Sequence, residues 1–356
     1  MQKIGIAGIG NISKVYLDNL TGMFGQRVKV TAVTDILFER AEKAAADYGL
    51  KAFRSVREMV KGSAVDMVLN LSQPKFHYEI ALACVKAGKH IYNEKPLCVN
   101  ADDAARLLET AAAKDVRVGG APDTFLGAGI QTSIKLLNDG WIGKPVAAAA
   151  FMLNHGPEDW HPSPEFFYKN GGGPMFDMGP YYLTALIAAL GPVSRVSGSA
   201  KIGIKKRTIT SEPLRGTVID VEVPTYISGV LEFSNGAVGT IITSYEVYSH
   251  TLPFIEIYGT EGTLRLPDPN TFGGPVYVRR FRENEWSQLP LLKNYPENSR
   301  GIGITDMAEA IEENRPHRAC GELAFHVLNI MHGIHEASAH GRYRKIKGKC
   351  KKPAAL

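Results

Sequence analysis

Lys95 lies in the run His90-Ile91-Tyr92-Asn93-Glu94-Lys95-Pro96, where an apolar strand leads into a Glu-Lys pair and a proline stops it. A lysine delivered by a strand end, beside a carboxylate and before a rigid residue, is placed for proton transfer. To act near neutral pH its pKa must fall, through burial or a nearby positive charge, so Glu94 is expected to point away from the amine. The plain alternative is a surface lysine at a strand-to-loop turn. A second group, Asp177 and Tyr181, follows the cluster Gly171-Gly172-Gly173-Pro174. Pro174 suits a first helical turn, and the apolar run over 183–190 continues it. Asp177 and Tyr181 are then four apart on one helical face. A carboxylate and a phenol there can hold and protonate a substrate hydroxyl; a helix-capping Asp and a core Tyr are the alternative. A third group, Asn154-His155-Gly156-Pro157-Glu158-Asp159-Trp160-His161-Pro162, suits a sugar site, with Trp160 as stacking platform and His161 as hydrogen-bonding partner. No helix-spaced His pair or thiolate accompanies them, so no metal is expected.

These residues need elements to position them. Lys3-Ile4-Gly5-Ile6-Ala7 reads as a strand buried on both faces. Gly8-Ile9-Gly10-Asn11-Ile12-Ser13 follows as G-x-G-x-x-S, a dinucleotide fingerprint with serine as its third small residue. Gly8 permits the tight turn, and Gly10 lets the backbone approach a pyrophosphate met by N–H groups of the next helix. Asn11 and Ile12 of the same loop are expected to contact the cofactor, and a second strand over 28–33 ends at Asp35. A carboxylate there accepts both ribose hydroxyls of adenosine and repels a 2′-phosphate, which favours NAD over NADP; capping the helix over 39–48 is the alternative role. Ser55-x-x-Glu58 reads as a capping box. A strand over 65–71 ends at Ser72-Gln73-Pro74, a helix over 76–87 stops at Gly88, Asn100 caps a helix over 101–114, and 116–118 is another strand. This alternation predicts βαβ units in a doubly wound parallel sheet. Ligands of such sheets sit beyond the carboxyl ends of the strands, where Gly8, Asp35, Gln73, Lys95 and Asp123 all fall. His77 opens the helix after the Gln73 loop, either toward the cofactor or on the helix surface.

From Lys144 the pattern changes to strands over 146–153, 193–204, 217–223, 225–233, 237–247 and 254–258, with Ser234-Asn235-Gly236 a hairpin turn. This half reads as α+β with a large, mostly antiparallel open sheet whose uncovered face implies a homo-oligomer, a dimer or tetramer. The expected domains are 1–123, 124–345 and a basic tail over 346–356. Residues 342–352 hold seven Lys or Arg and no acid, read as solvated rather than as a nucleic-acid surface. His326, His332 and His335 fall on the last helix, in packing or surface roles. The four cysteines form no C-x-x-C pair and suit reduced thiols of a cytoplasmic protein. No apolar run reaches membrane-spanning length, and no signal peptide is expected.

Gly8-x-Gly10-Asn11-Ile12-Ser13, Glu94-Lys95-Pro96 and Asp177-x-x-x-Tyr181 in one chain resemble the Gfo/Idh/MocA oxidoreductases, from Ile4 to about Gly341. The resemblance implies an N-terminal Rossmann domain, a C-terminal α/β domain whose open sheet serves oligomerisation, and oxidation or reduction of sugars, inositols and related polyols with NAD(P). It implies Lys95 as the catalytic lysine with Asp177 beside it, and Glu94 near the cofactor. Many members have His where this chain has Tyr181, although glucose–fructose oxidoreductase and dihydrodiol dehydrogenase carry Tyr. The expected function is hydride transfer between NAD and a sugar, glycoside or inositol carbon, the substrate hydroxyl lying among Lys95, Asp177 and Tyr181, with Asp123, His155, Trp160 and His161 as further substrate contacts. Two alternatives remain at this level: redox-assisted glycoside cleavage or 3-oxidation with recycled NAD, and an NAD- or sugar-sensing protein without turnover.

Overall fold

The computed structural model describes residues 1–62, 64–348 and 350–356. The chain opens with β1 (Lys3–Ala7), α1 (Ser13–Thr21), β2 (Lys29–Thr34), α2 (Phe38–Tyr48), β3 (Lys51–Phe53), α3 (Val56–Val60), β4 (Met67–Asn70), α4 (His77–Lys86), β5 (His90–Asn93), α5 (Ala101–Ala113) and β6 (Val118–Gly120). It continues through α6 (Ala128–Asn138), β7 (Pro145–Leu153), α7 (Gly173–Asp177), α8 (Gly179–Leu190), β8 (Val193–Lys201), β9 (Lys206–Thr208), β10 (Val218–Asp220), β11 (Tyr226–Phe233) and β12 (Val238–Ser244). It closes with β13 (Ile255–Gly259), β14 (Gly262–Leu266), β15 (Val276–Arg280), β16 (Ser287–Leu289), α9 (Ile302–Glu312), α10 (Gly321–His340) and β17 (Arg344–Lys345). Two compact units form: Met1–Leu126 with Asn298–Leu328, and Gly127–Glu297 with Asn329–Leu356.

Among the described residues of the first unit, six strands make a parallel sheet in the order β3-β2-β1-β4-β5-β6, the doubly wound pattern. Its central strands are buried on both faces because helices cover both, so β1 and β4 read as continuous apolar runs. Ile4 and Ile6 are fully buried, each stabilising the fold by about 1.5–3 kcal/mol. Gly8 has φ +98°, and a Cβ there would lie 2.8 Å from the Leu71 and Ser72 backbone, so glycine is required. The returning segment docks through Asp123, whose Oδ2 accepts N–H bonds from Gly301 (2.8 Å) and Gly303 (3.0 Å) at the start of α9.

In the second unit, nine described strands form a mixed, mostly antiparallel sheet in the order β16-β15-β14-β13-β7-β12-β11-β8-β17, with β7 and β12 parallel. β11 alternates half-buried and buried positions, the signature of one covered face. α8 is buried throughout its length, and Ile334 of α10 fills the space that Gly198 and Gly229 leave open above β8 and β11. The β11–β12 hairpin turns at Asn235-Gly236, with Gly236 at φ +90°. No helix among the described residues is long and apolar enough to cross a membrane.

Several local expectations are corrected. The strand expected over 116–118 runs over Val118–Gly120 instead, because the Arg117 N–H is taken by the His90 ring at 2.9 Å. β3, a three-residue edge strand, was not foreseen; its pattern is too short to show period two. In the capping box, Ser55 accepts from the Glu58 N–H as expected, but Glu58 accepts from Arg54 rather than Ser55. Asn100 occupies the N-cap of α5 without a capping side-chain bond. The helix expected to run unbroken from Pro174 to 190 is two, α7 and α8, interrupted at Met178. Pro180 has no N–H to give the carbonyl four residues back, and α8 restarts with that proline in its first turn. The basic tail is not simply solvated: Lys352 Nζ donates to the Ala189 carbonyl near the end of α8 (2.8 Å), and the Leu356 N–H to Gln131 (2.7 Å). A cation there complements the negative end of the helix dipole.

Candidate active site

Gly8, Gly10, Asp35 and Gln73 line one cavity of about 530 Å³ at the carboxyl ends of β1, β2 and β4, with Ile36, Arg40, Arg54, Ser72 and Phe76. Asp35 does two jobs there: Oδ2 accepts the Ile9 N–H of the glycine loop (2.6 Å) and Oδ1 accepts the Leu37 N–H (2.8 Å). A carboxylate has about four lone-pair sites, so two such bonds leave capacity for a diol. Ser13 takes the third small position because it is packed against the loop, its Oγ donating to the Gly10 carbonyl at 2.7 Å. Ile12 is the N-cap of α1 and offers no capping side chain, so the helix-start N–H groups suit an anion. A Cβ on Gly10 would meet no protein atom within 4 Å, so the chain's own packing does not demand glycine there. Cavity, uncapped helix and carboxylate together fit a dinucleotide. Asn11, exposed at the loop tip, is not among the cavity residues. Arg40 and Arg54 were missed, Arg54 because it follows the unforeseen β3.

Lys95 leaves the end of β5 half-buried. Glu94 accepts from Tyr16 Oη at Oε1 (2.7 Å) and from the Lys95 backbone N–H at Oε2 (2.8 Å). Its carboxylate thereby holds the chain at Lys95.

In the second unit, Asp177 ends α7 and Tyr181 lies in the first turn of α8, largely buried. Tyr245, just beyond β12, donates its hydroxyl to Asp177 Oδ2 at 2.8 Å. Burial, then the Asp177 charge, hold the Tyr245 phenol well above its ordinary value, so it is a donor across the physiological range. Sequence reasoning missed Tyr245; its place at the carboxyl end of a core strand was the available signal. Its ring also meets Phe167 edge-on, and Phe167 packs against His161 and Trp160. Trp160 is 65% exposed, as a stacking surface must be.

The family description "Oxidoreductase family, NAD-binding Rossmann fold" matches residues 2–120, and the Gfo/Idh/MocA C-terminal domain matches residues 130–265. The chain belongs to the Gfo/Idh/MocA oxidoreductase family. It is 26% identical to the myo-inositol 2-dehydrogenase of Thermotoga maritima over 83% of this chain and 88% of that one. It is 26% identical to the 1,5-anhydro-D-fructose reductase of Ensifer adhaerens over 98% and 99%. Among solved structures it superposes on an NAD binding oxidoreductase from Klebsiella pneumoniae with a TM-score of 0.85 at 23% identity, covering 98% and 99% of the two chains. At that identity the likeness speaks for the fold.

Within this Gfo/Idh/MocA chain, two sequence-derived assignments change. His77, expected at the cofactor or on the helix surface, is fully buried, with Nδ1 2.7 Å from the Pro96 carbonyl and Nε2 2.9 Å from the Ser72 carbonyl. Asp123, expected on the substrate rim, is buried beneath α9, whose N–H groups it caps. His155 stacks on Tyr248 with ring centroids 3.7 Å apart, and its backbone carbonyl accepts from Arg207. The last-helix histidines His332 and His335 pack against Phe176, and burial pushes the His335 imidazole down to about 4.

Burial raises the Asp123 carboxyl to about 6, against the opposing pull of the Gly303 and Gly301 N–H groups and Arg300. A folded value above the ordinary one, about 4, means that the group's contribution to stability is fully present below about pH 4 and lost as pH rises toward 6. The difference amounts to about 3 kcal/mol. Asp123→Asn is therefore expected to flatten the dependence of Tm on pH between 4 and 6. An unchanged slope in calorimetric scans would show that Asp123 titrates normally.

Proposed function

We propose that this protein is an NAD-dependent dehydrogenase that moves a hydride between the nicotinamide and a CH–OH carbon of a sugar, glycoside or inositol. The observation that carries this is the first-unit cavity, where Gly8, Gly10, Asp35 and Gln73 meet as a dinucleotide site requires. Bound NAD supplies the hydride acceptor. Lys95 takes the hydroxyl proton, Asp177 and Tyr181 engage substrate hydroxyls, and Trp160 with His161 offers a face to a sugar ring. The names of the inositol and anhydrofructose relatives support a polyol substrate.

Asp35 supports NAD over NADP, because its carboxylate repels a 2′-phosphate. Arg40 and Arg54 line the same cavity and would attract one. Asp35→Ser is therefore expected to move the ratio of kcat/KM for NADP over NAD by at least about tenfold toward NADP, about 1.4 kcal/mol. An unmoved ratio would remove Asp35 from cofactor choice. Val238, nearly half exposed, and Ile242, half-buried, lie on the face of β12 opposite the buried Ile241 and Thr243 and support a homo-oligomer, and a monomeric mass in solution would sink that part.

The deciding experiment releases and identifies any nucleotide bound to the purified protein. It then follows NADH and product masses over a panel of inositols, aldoses and glycosides. A product two hydrogens lighter with stoichiometric NADH supports the dehydrogenase. Cleaved glycoside without net NADH moves the assignment to the recycling mechanism, and nucleotide binding with no turnover to a sensor.

A further inference from the structure

Three fully buried polar side chains lie under the loops that carry Gln73 and Lys95: Asn70 at the end of β4, Asn93 at the end of β5 and His77 at the start of α4. Asn70 Oδ1 accepts from the Ser72 hydroxyl (2.7 Å) and N–H (3.2 Å). Asn70 Nδ2 donates to Asn93 Oδ1 (3.1 Å), and Asn93 Nδ2 donates to the Leu97 carbonyl (2.9 Å). His77 spans the same two loops, with one ring nitrogen on the Ser72 carbonyl and the other on the Pro96 carbonyl. Buried polar groups in such numbers persist only when each is satisfied.

The two carbonyls decide what His77 must be. A neutral imidazole has one N–H and one lone pair, whereas a carbonyl oxygen only accepts. In either neutral tautomer one of the two contacts, at 2.7 or 2.9 Å, would set lone pair against lone pair. Only the doubly protonated ring satisfies both. Burial, the largest influence, pulls the imidazole below its ordinary value and Lys95 adds to that, while the Pro96 and Ser72 carbonyls and then the Glu94 carboxylate pull the other way. The two carbonyls at hydrogen-bond distance, which a neutral ring cannot both satisfy, are what argues for the charge. The charged groups that face His77 are therefore Glu94, itself held by Tyr16, and Lys95. Glu79 of its own helix lines the cofactor cavity.

We propose that His77 is a buried imidazolium that clamps the Lys95-Pro96 loop to the Ser72-Gln73 loop, and that its fixed positive charge favours the neutral, proton-accepting form of Lys95. His77 is a positioning residue: it acts on Lys95 through the Pro96 carbonyl and through its charge. The second half rests on the role proposed above for Lys95; the first half does not.

Two measurements test this. The first uses the intact protein labelled with ¹⁵N-histidine and records long-range ¹H–¹⁵N correlations at pH 8. One of the ten histidines is expected to keep both ring nitrogens protonated, and its signals to vanish in His77→Gln. Ten neutral imidazoles at pH 8 would overturn the clamp, with or without a known substrate. The second is the pH profile of kcat once a substrate is in hand. Loss of a positive charge raises the pKa of a neighbouring lysine. The limb assigned to Lys95 is thus expected about one pH unit higher in His77→Gln than in the parent, while NAD still binds. A limb that stays put or moves lower would overturn the electrostatic half. If His77→Gln does not fold, the NMR measurement on the parent protein decides alone, by the count of charged imidazoles at pH 8.

Discussion

Lys95→Ala is expected to lower turnover by about 10³-fold, within the range for loss of a general acid–base group, while leaving NAD affinity near that of the parent. The chain leaves β5 through Glu94, whose carboxylate is tied to Tyr16 and back to the Lys95 N–H. Pro96 and Leu97 follow, their carbonyls held by His77 and Asn93. The main chain is thus pinned on both sides of Lys95, and the substitution removes an amine without releasing the loop. Lys95→Arg is expected to fail almost as badly, because a guanidinium does not give up its proton in the working pH range. Steady-state kinetics beside an NAD-binding titration check both. Turnover within tenfold of the parent in Lys95→Ala would move the proton to another group, and Tyr181 would be examined next.

The features legible in the sequence were those fixed by neighbouring residues. A glycine loop between a doubly buried strand and a helix is a local pattern, and Gly8, Gly10, Ser13 and Asp35 lie where that pattern put them. The Asn235-Gly236 hairpin and the parallel order of the first sheet follow the same logic. The assignments that changed depend on partners distant in sequence. Asp123 accepts from Gly301 and Gly303, and no window around Asp123 contains α9. His77 begins a helix, where a short segment suggests a surface, yet two loops close over it. Tyr245 has no motif of its own; only the packing of α7 under the end of β12 gives its hydroxyl to Asp177. The break at Met178 was within reach, since Pro180 forbids the backbone bond that an unbroken helix needs.

Glu158→Ala is expected to destabilise the second unit by about 3–5 kcal/mol, the cost of stranding one partner of a buried ion pair. Arg207 and Glu158 are almost wholly buried, with Nη1 2.9 Å from Oε1. The second carboxylate oxygen accepts from Tyr168 Oη at 2.6 Å, and that phenol is held well above its ordinary value by burial and then by Glu158. Arg207 also donates to the backbone carbonyls of His155 (2.8 Å) and Tyr245 (2.6 Å). One guanidinium therefore joins the loop bearing His155 and Trp160 to the strand end bearing Tyr245, which holds Asp177. Without Glu158 the guanidinium stays buried with carbonyl partners alone, and these do not neutralise it. Thermal unfolding is expected to shift down by on the order of 10 °C. Replacing both partners with apolar residues, Glu158→Leu with Arg207→Met, is expected to recover much of that loss, because no buried charge remains. The double variant is nonetheless expected to lose activity on any substrate the parent accepts, since the carbonyl of Tyr245 loses its anchor. Stability without activity in the double variant would show that the pair serves to place Tyr245 and Asp177. Stability with full activity would reduce it to a feature of folding.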